Sequence, residues 1–206
     1  AIIKDKDLID STGKVTGVEP RLIVTTLIGE QIRLFNSTRK KIKKVLGPLK
    51  ILSVENNISY GVTGIKDFTA EAVEMNLKDS SSEFYLGKKY EQLLKFYTQD
   101  TLAERRSNLV NMKKHYFSYL YSALILKQVR AQWQKSGYDI SNRPEILSTL
   151  FNVGFSASHP KPNPIVGGSR VMIGEKEYTF GGIAYEFYYS GELAKLFPYQ
   201  KNKWKD

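Results

Sequence analysis

The longest apolar stretch of the sequence runs from Tyr116 to Leu126 and is interrupted by Ser118 and Ser122. It is about 11 residues long, whereas a helix that spans a bilayer needs about 20 apolar residues. We therefore expect this stretch to form a helix that is buried inside a globular domain. A chain of 206 residues, of which 41% are hydrophobic, is long enough to bury such a core.

Helix signals recur along the rest of the chain. Pro20, preceded by Glu19, suits the first position of a helix that runs to the Gly47-Pro48 stop. Further helices are predicted over 69–77, 83–97, 101–135 and 144–153, with a last helix of about 15 residues ending near Pro198. Val171 to Tyr178 predict a small hairpin. The predicted fold class is mostly α-helical, with a small β-hairpin near the C-terminal end.

Charge and composition limit the possible partners and chemistry. Lys and Arg outnumber Asp and Glu by 31 to 21, so the chain favours anionic partners such as nucleic acid, acidic lipid or an acidic wall polymer. No recognised nucleic-acid-binding module is present, and we expect no nucleic acid partner. The absence of cysteine excludes a thiol nucleophile, and His115 and His159 lack metal-ligand spacing. We therefore expect neither a metal nor a cofactor.

Glu30 lies on the apolar face of the first strong helix. It follows Leu27 by three residues and precedes Leu34 by four, so the three side chains share one side of the helix. Burial disfavours the charged form of a carboxyl and raises its pKa, which is what a general acid for glycosidic cleavage requires. The alternative interpretation is that Glu30 marks the edge of the buried stripe and reaches water.

Three segments follow one another in an order that resembles a known family. After Glu30 come Ser59-Tyr60-Gly61-Val62-Thr63-Gly64-Ile65-Lys66, then Phe68-Thr69-Ala70, and finally Phe151-Asn152-Val153-Gly154. This order is similar to that of the family 23 lytic transglycosylases and the goose-type lysozymes. In that family a helix-borne Glu precedes a Gly-Leu-Met-Gln-Ile turn, a Thr-Ala helix start and a Tyr-Asn-Ala-Gly segment.

The resemblance implies a lysozyme-like domain that cleaves peptidoglycan between N-acetylmuramic acid and N-acetylglucosamine. Glu30 matches the catalytic acid, and Ser59, Gly61 and Ile65 match the turn that shapes the cleft. Asn152 matches the Asn of the Tyr-Asn pair. The implied division is an N-terminal arm or lead-in helix at 1–17, a lysozyme-like catalytic domain at 18–155 and a C-terminal extension at 156–206, packed on the same domain.

Two positions depart from the family pattern. Gly64 stands where the family has Gln, and Phe151 stands where it has Tyr. Tyr60 is a candidate for supplying a replacement hydroxyl. These departures keep a second interpretation open, in which the chain is a binding or structural module that retains the lysozyme-like fold without turnover.

Few carboxylates are available beside Glu30. Ordinary glycosidases use a pair of carboxylates, whereas the lytic transglycosylases use a single Glu together with the acetamido group of the substrate. Glu55 and Asp67 are the possible second carboxylates, unless they are solvated loop charges. The scarcity of acidic residues favours formation of an anhydro sugar over hydrolysis. The basic run from Arg39 to Lys44 is interpreted either as a site for wall anions or as a solvated helix face.

A peptidoglycan substrate implies a periplasmic or exported protein. The sequence opens with Ala1, which either a cleaved leader or a trimmed chain explains.

Overall fold

A computed structural model of the chain describes residues 2–44, 59–60, 62–111, 115–200 and 204, with the side chains of 35–44 and 59–60 left out. Within these ranges the chain forms seven α-helices and two short antiparallel hairpins. The helices are α1 (Lys6–Thr16), α2 (Pro20–Lys44), α3 (Asp67–Lys78), α4 (Thr101–Val110), α5 (Tyr116–Lys135), α6 (Pro144–Val153) and α7 (Phe180–Tyr189). The strands are β1 (Ser59–Tyr60), β2 (Ile65–Lys66), β3 (Arg170–Ile173) and β4 (Lys176–Thr179). The protein is thus mostly helical, as the sequence predicts.

Helix α5 is the centre of the fold. Nearly every residue from Ser118 to Trp133 is buried, because α1, α2, α3, α4 and α6 all pack against this helix. A helix that is hydrophobic all round has no face that water can solvate, so its neighbours must cover it completely. The prediction of a buried helix over Tyr116 to Leu126 is confirmed. Among the described residues, no helix combines the length and apolar character needed to cross a membrane.

Helix α7 joins the C-terminal part of the chain to the same core. Its first residue, Phe180, is fully buried, and a Cβ on Gly29 of α2 would lie 2.6 Å from the Phe180 ring. A Cβ on Gly181 would lie 2.2 Å from Oγ1 of Thr149 on α6. Glycine at these two positions therefore lets α7 approach both helices closely. The division of the chain at residues 17 and 155 stays a prediction.

Local signals located several element starts correctly. Helix α2 begins at Pro20 and α6 begins at Pro144, where the missing backbone N–H has no helical partner to lose. The β3–β4 hairpin pairs Val171 with Tyr178, as predicted. The structure adds a first hairpin that the sequence did not predict, in which β1 and β2 pair Ser59 with Lys66 and Tyr60 with Ile65.

Four helix predictions were wrong in extent or in kind. Helix α3 begins at Asp67 rather than after Thr69. No α-helix covers 83–97, because Gly87 has a φ of 101° and only a 3₁₀ helix at Lys88–Tyr90 follows it. The stretch 101–135 is two helices, since Asn111 is extended and ends α4. The last helix is 10 residues long and ends at Tyr189, where Ser190 is extended.

Candidate active site

Glu30 lies on the inner side of α2, and its side chain is only 5% exposed. Both oxygens of the carboxylate have polar partners. Arg33, one turn further along the helix, donates to Oε2 from Nε at 3.0 Å and from Nη2 at 2.6 Å. Asn152 of α6 contributes Nδ2 at 3.4 Å from Oε1. Glu30 is therefore not the water-facing edge of the buried stripe.

A cavity of about 160 Å³ opens beside this carboxylate. It is bounded by α2 on one side, the β2–α3 corner on the second and the end of α6 on the third. Its lining residues include Glu30, Arg33, Gly64, Ile65, Lys66, Phe68, Thr69, Ile125, Phe151, Asn152 and Ser169. Glu30 is the single acidic side chain among the described residues that line it.

The first hairpin brings the backbone against the carboxylate. Gln31 donates from Nε2 to the carbonyl of Val62 at 2.6 Å and so ties α2 to the turn between β1 and β2. Gly64 in this turn has a φ of 64°, and a Cβ there would lie 2.7 Å from Oε2 of Glu30. The position requires glycine for its backbone conformation and also for the contact.

Asn152 is held by the loop that follows α6. The backbone N–H of Ser169 donates to Oδ1 of Asn152 at 2.7 Å, which leaves the amide nitrogen directed at Glu30. A Cβ on Gly168, whose φ is 90°, would lie 2.9 Å from the same oxygen. Next to Asn152, the buried ring of Phe151 stacks on Phe180 with the centroids 6.3 Å apart.

Two opposing effects act on the pKa of Glu30. Burial raises the pKa of Glu30 and is the largest influence on it, while Arg33, Asn152 and the positive charge of Lys66 oppose that rise. The net pKa lies above the ordinary range for a glutamate. A carboxyl in this environment binds a proton more readily than one in water, as a general acid must.

Four residues of the sequence prediction come together in this cavity, namely Glu30, Ile65, Phe151 and Asn152. Ser59 and Tyr60 form strand β1, but their side chains lie outside the described residues, so a role for the Tyr60 hydroxyl stays a hypothesis. Gly61 lies outside them too, as do Glu55 and the side chains from Arg39 to Lys44.

Asp67, the other candidate carboxylate, does not line the cavity. Its Oδ2 accepts hydrogen bonds from Arg106 of α4, with Nε at 2.9 Å and Nη2 at 2.8 Å. Asp67 therefore ties α3 to α4.

No role was predicted from the sequence for three of the larger side chains that line the cavity, those of Arg33, Lys66 and Phe68. Arg33 is an i+3 neighbour of Glu30, and this spacing alone was sufficient to predict the ion pair. Lys66 and Phe68 lie at the β2–α3 corner, with the ammonium nitrogen of Lys66 5.4 Å from the centroid of the Phe68 ring. Phe68 is 58% exposed and presents an aromatic face of the kind on which sugar rings stack.

A second, larger cavity of about 360 Å³ lies between α5 and the segment that contains Tyr85 and Tyr90. The residues that line it are Tyr85, Leu86, Lys89, Tyr90, Lys127, Arg130, Ala131, Gln134 and Lys135. None of these described residues is a carboxylic acid.

Comparison with family models, with curated proteins and with solved structures finds no match to this chain. The resemblance to the lytic transglycosylases therefore stays a prediction from the order of the segments in the sequence.

Proposed function

We propose that this chain is a lysozyme-like glycosidase of the lytic transglycosylase type, which cleaves peptidoglycan with Glu30 as its single catalytic acid. One observation carries the proposal: a carboxyl that is 5% exposed adjoins an open cavity, and its pKa is raised by burial. Glu30 and the segments that follow it in the family resemblance supply cavity residues from separate parts of the chain. Among these residues are Ile65 and Asn152.

The proposed reaction uses Glu30 twice. Protonated Glu30 donates its proton to the bridging oxygen, and the bond from C1 of the muramic residue to that oxygen breaks while the acetamido oxygen attacks C1. The carboxylate then takes the proton of a hydroxyl on the same sugar. That oxygen attacks C1, closes the anhydro ring and restores the acetamido group, and Glu30 ends protonated as it began.

Among the described residues that line the cavity, Glu30 is the single carboxylate, and this supports the single-acid scheme. A retaining glycosidase places its second carboxyl about 5 Å from the first, and an inverting enzyme places it about 6.5–9.5 Å away. Asp67 is ion-paired to Arg106 and does not line the cavity. Asn152, which faces Oε1 of Glu30, is a neutral donor rather than a second acid.

Digestion of purified peptidoglycan sacculi tests the proposal. The wild-type chain and a Glu30→Gln variant are incubated with sacculi, and the released muropeptides are analysed by mass. We expect anhydro muropeptides from the wild type and at least a hundredfold fewer from Glu30→Gln, since the amide cannot donate a proton. Glu186→Gln is a matched control because this exposed carboxylate on α7 lies outside the cavity.

Each result has a definite meaning. Reducing-end products would replace the transglycosylase scheme with hydrolysis. Equal release by wild type and Glu30→Gln would remove Glu30 as the acid, and no release by either would contradict the enzyme.

A second candidate function is that of a peptidoglycan-binding module without turnover. The observation that favours it is the Arg33–Glu30 ion pair, because hydrogen bonds from a guanidinium stabilise the ionised form of the carboxylate. Sedimentation of the protein with sacculi, without release of muropeptides, would favour the binding module. In either case we propose the cell wall, in the periplasm or outside the cell, as the site of action.

A further inference from the structure

Arg33 lines the cavity beside Glu30 and is the more exposed of the two side chains. Its side chain is 27% exposed, whereas that of Glu30 is 5% exposed. Its Nε and Nη2 both donate to one oxygen of Glu30, Oε2, while the other oxygen faces Asn152. A ligand that enters the cavity can therefore reach the guanidinium more easily than the carboxylate.

This arrangement opposes the role proposed for Glu30. A general acid must carry a proton before it can donate one, and two charge-assisted hydrogen bonds stabilise the form that carries none. Burial works in the other direction and favours the protonated form. If Arg33 moved away from Oε2, the effect of burial on the pKa of Glu30 would be opposed only by the weaker effects of Asn152 and Lys66.

The cavity offers two positive charges to a ligand. Arg33 comes from α2 and Lys66 comes from β2, and both act on Glu30. The neighbour from α6 is Asn152, which is uncharged, and Glu30 is the single carboxylate among the described lining residues. A ligand with a negative group therefore finds a partner in Arg33, whereas a neutral ligand leaves the ion pair intact.

Gly64 makes room for the carboxylate of Glu30 and lies beside the guanidinium of Arg33. A Cβ at this position would lie 3.5 Å from Nη2 of Arg33 and 2.7 Å from Oε2 of Glu30. A side chain longer than a methyl group at position 64 would compete with Arg33 for the space beside Glu30. Gly64 and Arg33 therefore both lie against the same oxygen of Glu30, Oε2.

We propose that Arg33 is a specificity-determining positioning residue, which a carboxylate on the saccharide draws away from Glu30 so that Glu30 can be protonated. This proposal rests on the proposed function and deepens it. Glu30 takes its proton from water when the guanidinium moves to the carboxylate of the ligand, so no further reactant is needed. A glycan that presents a carboxylate, on a muramyl residue without a stem peptide or on the stem peptide itself, activates the site, and an uncharged N-acetylglucosamine polymer does not.

A titration followed by NMR tests the proposal without any turnover. The Glu side-chain carboxyls are labelled with ¹³C, and the Glu30 signal is assigned by its loss in Glu30→Gln. We expect the titration midpoint of Glu30 to move to higher pH in Arg33→Met and on addition of N-acetylmuramic acid to the wild type. N-acetylglucosamine should not move it. A midpoint unchanged by both Arg33→Met and N-acetylmuramic acid would overturn the proposal.

Kinetics provide a second readout. On peptidoglycan, Arg33→Met should raise KM about tenfold, and on a neutral chitin oligosaccharide it should raise kcat about tenfold, since the carboxyl no longer needs a ligand to release it. Arg33→Lys should restore part of the preference for the anionic substrate. Arg170→Met, which removes an exposed cation paired with Glu177, is the control.

The two proposals fail in different ways. A loss of kcat on both substrates in Arg33→Met would overturn the role of Arg33 as a specificity-determining positioning residue. It would leave Glu30 as the acid. An NMR response to N-acetylmuramic acid in a protein that releases no muropeptides would leave the Arg33 response intact and contradict the enzyme.

Discussion

Oε2 of Glu30 lies 2.7 Å from the position that a Cβ atom on Gly64 would take. The carboxylate therefore rests directly against the backbone of the β1–β2 turn. Because the contact joins two segments that are 34 residues apart in the sequence, it holds α2 and the hairpin in a fixed relation around the cavity.

Gly64→Ala should damage both stability and activity. Alanine would have to adopt the left-handed backbone of Gly64, at φ 64°, and its methyl group would press on Glu30, so we expect a loss of about 2 kcal/mol in the free energy of unfolding. Release of muropeptides should fall about a hundredfold, because displacing an acid by about 1 Å costs that much in rate. Urea unfolding and the sacculus assay measure the two effects.

Gly174→Ala is a matched control for Gly64→Ala. Its φ is 63°, but nothing lies within 4 Å of a Cβ at that position. This variant should lose about 1 kcal/mol and keep its activity. Equal behaviour of the two variants would show that the contact with Glu30 does not matter.

The free energy of unfolding of Glu30→Gln should increase relative to that of the wild type as the pH rises. The folded-state pKa of Glu30 is raised above the ordinary value of about 4.5 by burial, so the folded protein binds this proton more tightly than the unfolded chain does. The wild type therefore loses stability as the pH rises from about 4.5 through the folded-state pKa, and the loss levels off above it.

The amide of Glu30→Gln does not titrate, so the difference between variant and wild type isolates this effect. We expect the variant to gain stability relative to the wild type across this pH range, because only the wild type releases this proton. Urea denaturation at several pH values from about 4 to about 8 provides the measurement. A difference in stability that stays constant with pH would contradict the raised pKa.

The buried pair Glu74–Arg105 should show strong coupling. Arg105 donates from Nε and Nη2 to the two oxygens of Glu74 at 2.7 and 2.6 Å, and the hydroxyl of Tyr121 donates to Oε1. Removing one charge leaves the other buried without compensation, so Arg105→Met should cost about 3–5 kcal/mol. Glu74→Gln keeps an acceptor for Tyr121 but leaves the Arg105 charge without its counterion, so it should cost a similar amount.

A double-mutant cycle on this pair measures the coupling. The double variant Glu74→Gln, Arg105→Met leaves no unpaired charge and should be less destabilised than the sum of the single variants by about 1–3 kcal/mol. Equilibrium unfolding of the four proteins gives the value. Strict additivity would mean that the two side chains do not interact energetically.

Arg21 should anchor the end of α7. Its side chain is buried and donates five hydrogen bonds to backbone carbonyls, at 2.8–3.1 Å. These carbonyls belong to Phe187, Tyr188, Ser190, Glu192 and Phe197. Arg21→Met leaves them without this donor and should cost about 3 kcal/mol.

Limited proteolysis provides a local measurement of the same effect. Cleavage between 187 and 200 should become faster in Arg21→Met, while Arg21→Lys, which has fewer donors in a different geometry, should be intermediate. Unchanged cleavage in this segment, despite lower global stability, would argue against an anchoring role.

Much of the helical framework could be predicted from neighbours in the sequence. Pro20 and Pro144 start their helices because proline has no N–H to lose there. The stretch from Tyr116 to Leu126 is buried because its apolar side chains cover all sides of the helix. Leu27 and Leu34 placed Glu30 on an apolar face, but helical spacing left open whether its carboxyl reaches water, and the structure shows that it is buried.

The tertiary structure decided what depends on distant segments. The direction of the Asn152 amide depends on the N–H of Ser169, and the need for glycine at 64 depends on Glu30. Local sequence thus determined which side chains had to be buried, because periodicity sets the faces of a helix. The fold alone determined which polar atoms contact one another in the cavity. Those partners lie far apart in the sequence, and only the packing of the chain brings them together.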